Sequence, residues 1–289
     1  MTTNQFVSFW LIMLVITPLQ AIHQPTPDLE KEQAAILQTL NYSFHGVNIG
    51  ELDAIKKAYH PGAMFAYINK KGEMASLTTE DFFVTVAADN YVKYERSIKL
   101  KNIDITGNAA LVEAIIDYDK NGKRLHDFIS LIKVNGAWKI ISRVSYKEYA
   151  AFYGQKEWIL TEADFENIRK NLNHYLKGGD KCDVERLGSA LDDQILLAYI
   201  NEENRQLEIQ NKEIYLKGYA QKEGQKLKRD HQIKYIHAKG NVAVAKVVIR
   251  FKDYKATLTD YISLIKKGDE WQVVSKISNK DKMKYISSL

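Results

Sequence analysis

An α+β fold built twice over is what this sequence predicts, on three observations. A seven-residue string recurs in nearly the same form in the second half, and each half runs helices first and strands last. The hydrophobic share, 45% of 289 residues, is enough for two cores. At about 100–200 residues per domain, a chain of this length holds two domains.

The repeat is the firmest of the three. Asp127 to Lys133 reads DFISLIK, and Asp260 to Lys266 reads DYISLIK, an offset of 133. Trp138 and Trp271, Ser142 and Ser275, and Ser145 and Ser278 keep that offset, so nine of the nineteen positions from 127 to 145 are identical. Nearer the N-terminus the offset is 132, with Ala66 to Asn69 repeated as Ala198 to Asn201. One residue was therefore gained or lost between about 70 and 100.

Each element follows from its own spacing. Ile36, Leu40, Phe44 and Val47 recur at helical intervals, as do Phe165, Ile168, Leu172 and Tyr175, so an amphipathic helix opens each half and ends at a Gly-containing turn. A second short helix carries Leu52, Ile55 and Tyr59, or Val184, Leu187 and Leu191. A short strand follows near 65–68 or 197–200. A third helix is expected near 79–88, with Thr78 as its cap and Asp81 in its first turn, and near 210–220 in the second half. Three long strands finish each half, turned by Asn121-Gly122, Asn135-Gly136 and Gly268-Asp269.

The boundaries read as a signal peptide over 1–21, a first domain over 28–147, an aromatic connection over 148–160 and a second domain over 161–284. The first 21 residues hold no charged side chain, and Phe6 to Ile16 is a largely apolar run of 11. That is shorter than the roughly 20 residues that span a bilayer. Export to a periplasm or the exterior is expected, with cleavage after Ala21, an uncleaved anchor being the alternative. No stable membrane insertion follows. Tyr149, Phe152, Tyr153 and Trp158 are expected to pack between the halves.

Formal charge is +5 from 41 basic and 36 acidic residues, and the densest basic stretch, 221–234, is broken by Glu223 and Asp230. That excludes the basic stripe of a nucleic-acid binder. Cys182 is the single cysteine, so no intrachain disulfide forms. There is no nucleophile elbow, phosphate loop or His-Glu-x-x-His, hence no expected cofactor and no metal site.

Tyr42 with Gly46 and Gly50-Glu51, Tyr59 to Ala63, the string at Asp127 and the run Gly136 to Ile140 together resemble the exported SnoaL-like, lumazine-binding-like proteins of the nuclear transport factor 2-like superfamily. The resemblance covers 30–147 and again 162–280. It implies two cystatin-like cones, each with three helices packed on a bent antiparallel sheet, that enclose a pocket for a small, partly apolar molecule. It also implies association through sheet faces, either as a monomeric pseudo-dimer or as a homo-oligomer.

Such a pocket points to Asp127 and Asp260, with Tyr67, Tyr199 and Tyr175 as lining residues. Asp127 shares a strand face with Ile129 and Leu131. A carboxyl among aliphatic residues would stay neutral and could donate a hydrogen bond, as the protonated aspartate of ketosteroid isomerase does. The other reading has both aspartates in structural pairs, with Arg124 and Arg143 within reach of Asp127. A catalytic set, if there is one, would be Asp127, Tyr42 and His60. Against it, tyrosine stands at Tyr67 and Tyr199, where the isomerase has its base. The second half also replaces His60-Pro61 by Asp192-Asp193, so the two pockets are unequal. A non-catalytic binding protein, an isomerase-, dehydratase- or hydrolase-type enzyme, and a purely structural pair are the three readings left open.

Overall fold

The computed structural model describes residues 27–69, 71–88, 95–118, 122–149, 159–253 and 256–282. The expected signal peptide and the aromatic residues Phe152, Tyr153 and Trp158 lie outside these residues, as does the side chain of Tyr149.

The first cone opens with α1 (Pro27–Ile49) and α2 (Leu52–Ala58). Proline at the first helical position and Asp28 and Glu30 in the first turn suit the N-terminal end of the dipole. The expected stripe is the buried one: Ile36, Leu40 and Phe44 face the core. Gly46 is required where the two helices meet, since a Cβ there would lie 2.7 Å from Ile55. The second cone repeats the pair as α4 (Glu162–Lys181) and α5 (Val184–Ser189), and a Cβ on Gly178 would meet the Leu187 backbone at 2.6 Å. Thr161 and Asp164 close a capping box at the start of α4.

Strands β1 (Tyr59–Ile68) and β2 (Met74–Thr78) form a hairpin before α3 (Thr79–Ala88), and β7 (Leu191–Ile200) and β8 (Leu207–Gln210) do so before α6 (Lys212–Ala220). The extra residue of the second half sits in this hairpin. Asn69 N–H bonds the Glu73 carbonyl, whereas Asn201 N–H bonds that of Gln206, one position further on. Thr78 and Asp81 cap α3 reciprocally.

Four long strands, not three, complete each cone: β3 (Arg96–Thr106), β4 (Ala109–Tyr118), β5 (Lys123–Val134) and β6 (Ala137–Tyr149), then β9 (Arg229–Lys239), β10 (Val242–Phe251), β11 (Ala256–Lys267) and β12 (Glu270–Lys282). The strand missed in each half ends at Gly107 or Gly240, whose φ of 55° and 58° make the first hairpin turn. At the next expected turn, Asn135 and Gly136 both have positive φ, as a two-residue hairpin requires.

Each sheet has six strands, ordered β2-β1-β6-β5-β4-β3 and β8-β7-β12-β11-β10-β9. They are antiparallel except where β1 joins β6 and β7 joins β12, which run parallel. His60 is in β1 and not at a helix end as the spacing predicts. The β1–β6 register slips between Tyr59 and Met64, and the β7–β12 register slips at the equivalent place between Leu191 and Leu196.

Strand alternation separates two surfaces. Leu125, Ile129 and Leu131 of β5 join the helices inside the first cone, and Ile262 and Leu264 do so in the second. Phe128, Ile132 and Val144 face the other way, against Tyr261, Ile265 and Ile277, in one apolar layer shared by both sheets. The cones therefore pack back to back through their sheets.

Candidate functional site

The two aspartates of the repeated string have different surroundings. Asp127 is buried, and its Oδ2 accepts from Arg143 Nε at 2.7 Å and is ion-paired with Arg143 Nη2. Arg143 is itself buried, beside the ring of Phe44, and its guanidinium is held more firmly protonated than usual: burial opposes this, and Asp127 together with Tyr59 and Tyr118 outweighs it. Asp127 thus stands paired with a buried guanidinium and not alone among aliphatics. Asp127 does share the inward strand face with Ile129 and Leu131, but the neighbour that decides the electrostatics comes from β6.

Near Arg143 the first cone packs aromatic rings. Phe65 and Phe82 stack at 4.3 Å, and Tyr59 packs on both. Ser43 and Tyr59 hydrogen-bond at 2.8 Å.

In the second cone, smaller or more polar side chains stand at the same positions. Leu191 and Leu197 replace Tyr59 and Phe65, Tyr215 replaces Phe82, Tyr219 replaces Val86, and Lys276 replaces Arg143. This cone holds a cavity of about 850 Å³, lined by Tyr175, Tyr199, Tyr215, Tyr219, Lys276 and Ser278 with Ile249, Phe251 and Leu258. Asp260 lies beneath the wall at 0% exposure. It accepts from Tyr175 at 2.8 Å and Ser278 at 2.6 Å, with Lys276 Nζ at 3.6 Å. Lys276 donates to Ser278 at 2.8 Å. Burial, then Asp260, pushes the Tyr175 hydroxyl well above its usual range, and burial with Tyr219 does the same to Tyr215.

Of the expected lining residues, Tyr175 and Tyr199 border this cavity and Asp260 supports it. Tyr199 donates to Glu208, and burial with that bond raises it to about 12. Tyr67, its counterpart, lies beneath the ammonium of Lys147, which burial lowers to about 8. Tyr42, His60 and Asp127 are not brought together. Tyr42 accepts from Gln38 on an exposed side of α1, with Lys57 over its ring. His60 Nδ1 accepts from the Gly62 N–H.

Lys276, Ser278, Tyr215 and Tyr219 were not among the expected site residues. For Lys276, Tyr215 and Tyr219 the signal was the difference between the copies: Tyr215 and Tyr219 lie four residues apart on one helix where the first copy has Phe82 and Val86.

Trp138 and Trp271 belong to a second repeated feature. Trp138 Nε1 and Lys133 Nζ both donate to Glu32, and Trp271 Nε1 and Lys266 Nζ both donate to Asp164, the equivalent acid of the first helix. These tryptophans clasp helix to hairpin and do not face the cavity.

Among the described residues no group of three or more His, Cys, Asp or Glu could hold a metal ion, and no helix is long and apolar enough to cross a membrane.

The family model described as "Putative lumazine-binding" matches the chain twice, at 31–146 and 163–278. No curated protein sequence matches. Among solved structures, the chain is similar to a nuclear transport factor 2-like protein of unknown function from Shewanella baltica OS155 (22% identity, 42% of this chain, 97% of that one, TM-score 0.38). It is also similar to one from Methylobacillus flagellatus KT (17%, 44% and 99%, TM-score 0.39). A domain of unknown function with a cystatin-like fold from Nostoc punctiforme PCC 73102 matches at 12% (42% and 78%, TM-score 0.35).

Proposed function

The chain belongs, twice over, to the family described as "Putative lumazine-binding", and from that premise we propose that it is an exported small-molecule-binding protein whose second cone holds the ligand and whose first cone is a filled scaffold. One observation carries this reading: the second cone holds an 850 Å³ cavity whose wall includes Lys276, Tyr215 and Tyr219, where the first cone has Arg143, Phe82 and Val86. Its volume lies in the range of small-molecule sites, and its wall mixes apolar and aromatic residues with a few polar groups.

The reading is non-catalytic because the deep groups are already engaged. Asp260 accepts from Tyr175 and Ser278 and faces Lys276. Tyr199, near the position of a general base in the isomerase arrangement, is raised to about 12 and donates to Glu208. A base near neutral pH is what proton abstraction needs. Export rests on the uncharged, largely apolar first 21 residues, and a mature N-terminus at Ile22, read by mass spectrometry, tests it.

The cavity itself is tested by filling it. Gly218 lines it, and a Cβ there meets nothing within 4 Å. Thermal shift and native mass spectrometry with aromatic and heterocyclic compounds should detect a ligand for the native chain. Gly218→Trp should abolish that binding without loss of fold. Absence of binding by every compound class, or binding unaffected by Gly218→Trp, would overturn the proposal.

A further inference from the structure

We propose that the second cone selects a neutral heteroaromatic molecule bearing N–H donors, because the tyrosine hydroxyls of its wall are presented as acceptors. This deepens, and rests on, the reading of that cavity as a ligand site.

Counting protons leads to it. A hydroxyl has one proton to give and two lone pairs, whereas a carboxylate only accepts. Tyr175 gives its proton to Asp260 at 2.8 Å. Its 3.4 Å contact with Tyr215 therefore runs from Tyr215, which spends that proton. The 3.4 Å contact between Tyr215 and Tyr219 must then run from Tyr219. On the facing wall Tyr199 gives its proton to Glu208 and accepts from Gln210 Nε2 at 3.2 Å. Two carboxylates thus draw four hydroxyl protons away from the cavity. What is left toward a ligand is lone pairs on Tyr199, Tyr215 and Tyr219.

Lys276 is the converse group. Of its three protons, one goes to Ser278 and a second faces Asp260 at 3.6 Å. The third is available to a ligand oxygen. The ligand is neutral because the wall's charges are matched: Lys276 with Asp260, Lys280 with Glu202 at 3.0 Å, and Arg229 with Asp180 at 2.6 Å. Lys222 and Glu203, exposed at the mouth, are of opposite sign. The ligand is planar and aromatic because tyrosine rings bound the space, and such rings favour stacked or edge contacts.

Isothermal titration of the full chain with paired probes tests this: lumazine against 1,3-dimethyllumazine, and indole against 1-methylindole. Each methylation removes ring N–H donors and leaves the ring system. The N–H member of each pair should bind more tightly by roughly tenfold, the scale of one well-made hydrogen bond. Tyr215→Phe interrupts the proton chain and frees Tyr219 to donate, so it should bring the pair toward parity. Equal binding of the two members, lost in Gly218→Trp, would overturn donor selection while leaving the cavity reading intact. Full discrimination in Tyr215→Phe would overturn the assignment to the tyrosine chain. Failure of all four probes to bind would overturn the assignment of a heteroaromatic ligand.

Discussion

Ser142 and Ser275, equivalent positions of the two cones, hydrogen-bond to each other Oγ to Oγ at 2.6 Å in the buried layer between the sheets. A contact between equivalent residues marks a local two-fold axis, and other contacts follow in pairs around it. Asn279 packs on Gly107 as Tyr146, its counterpart, packs on Gly240. Asp104 meets Lys246 as His237 meets Glu113. This is the isologous pattern of a homodimer, carried within one chain. The charges are no longer those of a homodimer, however. Two first cones joined this way would set Asp104 against Glu113, and two second cones would set His237 against Lys246. The duplicated faces have become complementary to each other and not to themselves.

The Asp104 cluster should therefore be sensitive to sign. Lys246 donates to Asp104 at 2.7 Å, and Tyr235 and Tyr261 donate at 2.8 Å, with both charged side chains about one-fifth exposed. Asp104→Lys should lower the unfolding free energy in urea by about 2–4 kcal/mol, since it leaves two ammonium groups facing each other in a largely desolvated place. Adding Lys246→Asp should recover at least half of that loss. No recovery in the double variant would show that the tyrosine bonds, and not the charge match, hold this site.

Asp127 and Arg143 form a structural pair. Asp127→Asn should destabilise the chain by about 3–5 kcal/mol, because it strands a buried guanidinium. Asp127→Leu with Arg143→Met removes both charges and should come close to native stability. Ligand binding in the second cone should survive in that double variant, and Tyr42→Phe should alter neither quantity. Loss of binding at preserved stability in the Asp127 variants would return that residue to a functional role.

How much of this was legible in the sequence depends on whether the deciding neighbour was local. The repeat, the helix stripe of Ile36, Leu40 and Phe44, the Asn135-Gly136 turn and the inward face of Asp127 all follow from spacing along one element. The strands β3 and β9 were missed because a bulge in each breaks the alternation: Ile98 and Leu100 fall out of phase with Ile103 and Ile105, and Ile233 with Ile236, on edge strands with a half-exposed face. The partner of Asp127 lies on the next strand, so spacing within β5 was silent on it. The cavity was hidden for the same reason. Tyr175, Tyr215 and Lys276 come from α4, α6 and β12, and only the folded chain shows that the positions where the copies differ meet in one place.

Acid stability should report the helix-to-hairpin clasp of the second cone. Burial raises the Asp164 carboxyl, but Lys266, Thr161 and Trp271 outweigh it and hold the group well below the usual carboxylate range. A carboxyl depressed in the folded state contributes stability that is present above its unfolded value, near 4, and lost as pH falls toward the folded value. Asp164→Asn should cost roughly 1–3 kcal/mol at pH 7, the scale of hydrogen bonds to a charged group. It should cost clearly less at pH 2, where part of the contribution has been lost. A penalty of equal size at both pH values would show that capping geometry, and not the charge, carries the contribution.

The difference between the cones comes down most sharply to Arg143 against Lys276. The guanidinium presents a rigid fork of five donors and bonds its carboxylate through Nε while pairing through Nη2; the ammonium is a compact charge that stops 3.6 Å short of Asp260 and leaves room above it. Lys276→Arg should extend the side chain across the cavity floor and remake the first cone's ion pair in the second. The expected result is loss of heterocycle binding by at least tenfold, with a melting temperature equal to or above native, since the new pair is better hydrogen-bonded than the old. A lowered melting temperature with unchanged binding would mean that the arginine turned away from Asp260. In that case the openness of the second cone would not rest on Lys276, and Leu191→Tyr with Leu197→Phe, which restores the first cone's larger residues on that strand, should then be the change that closes it.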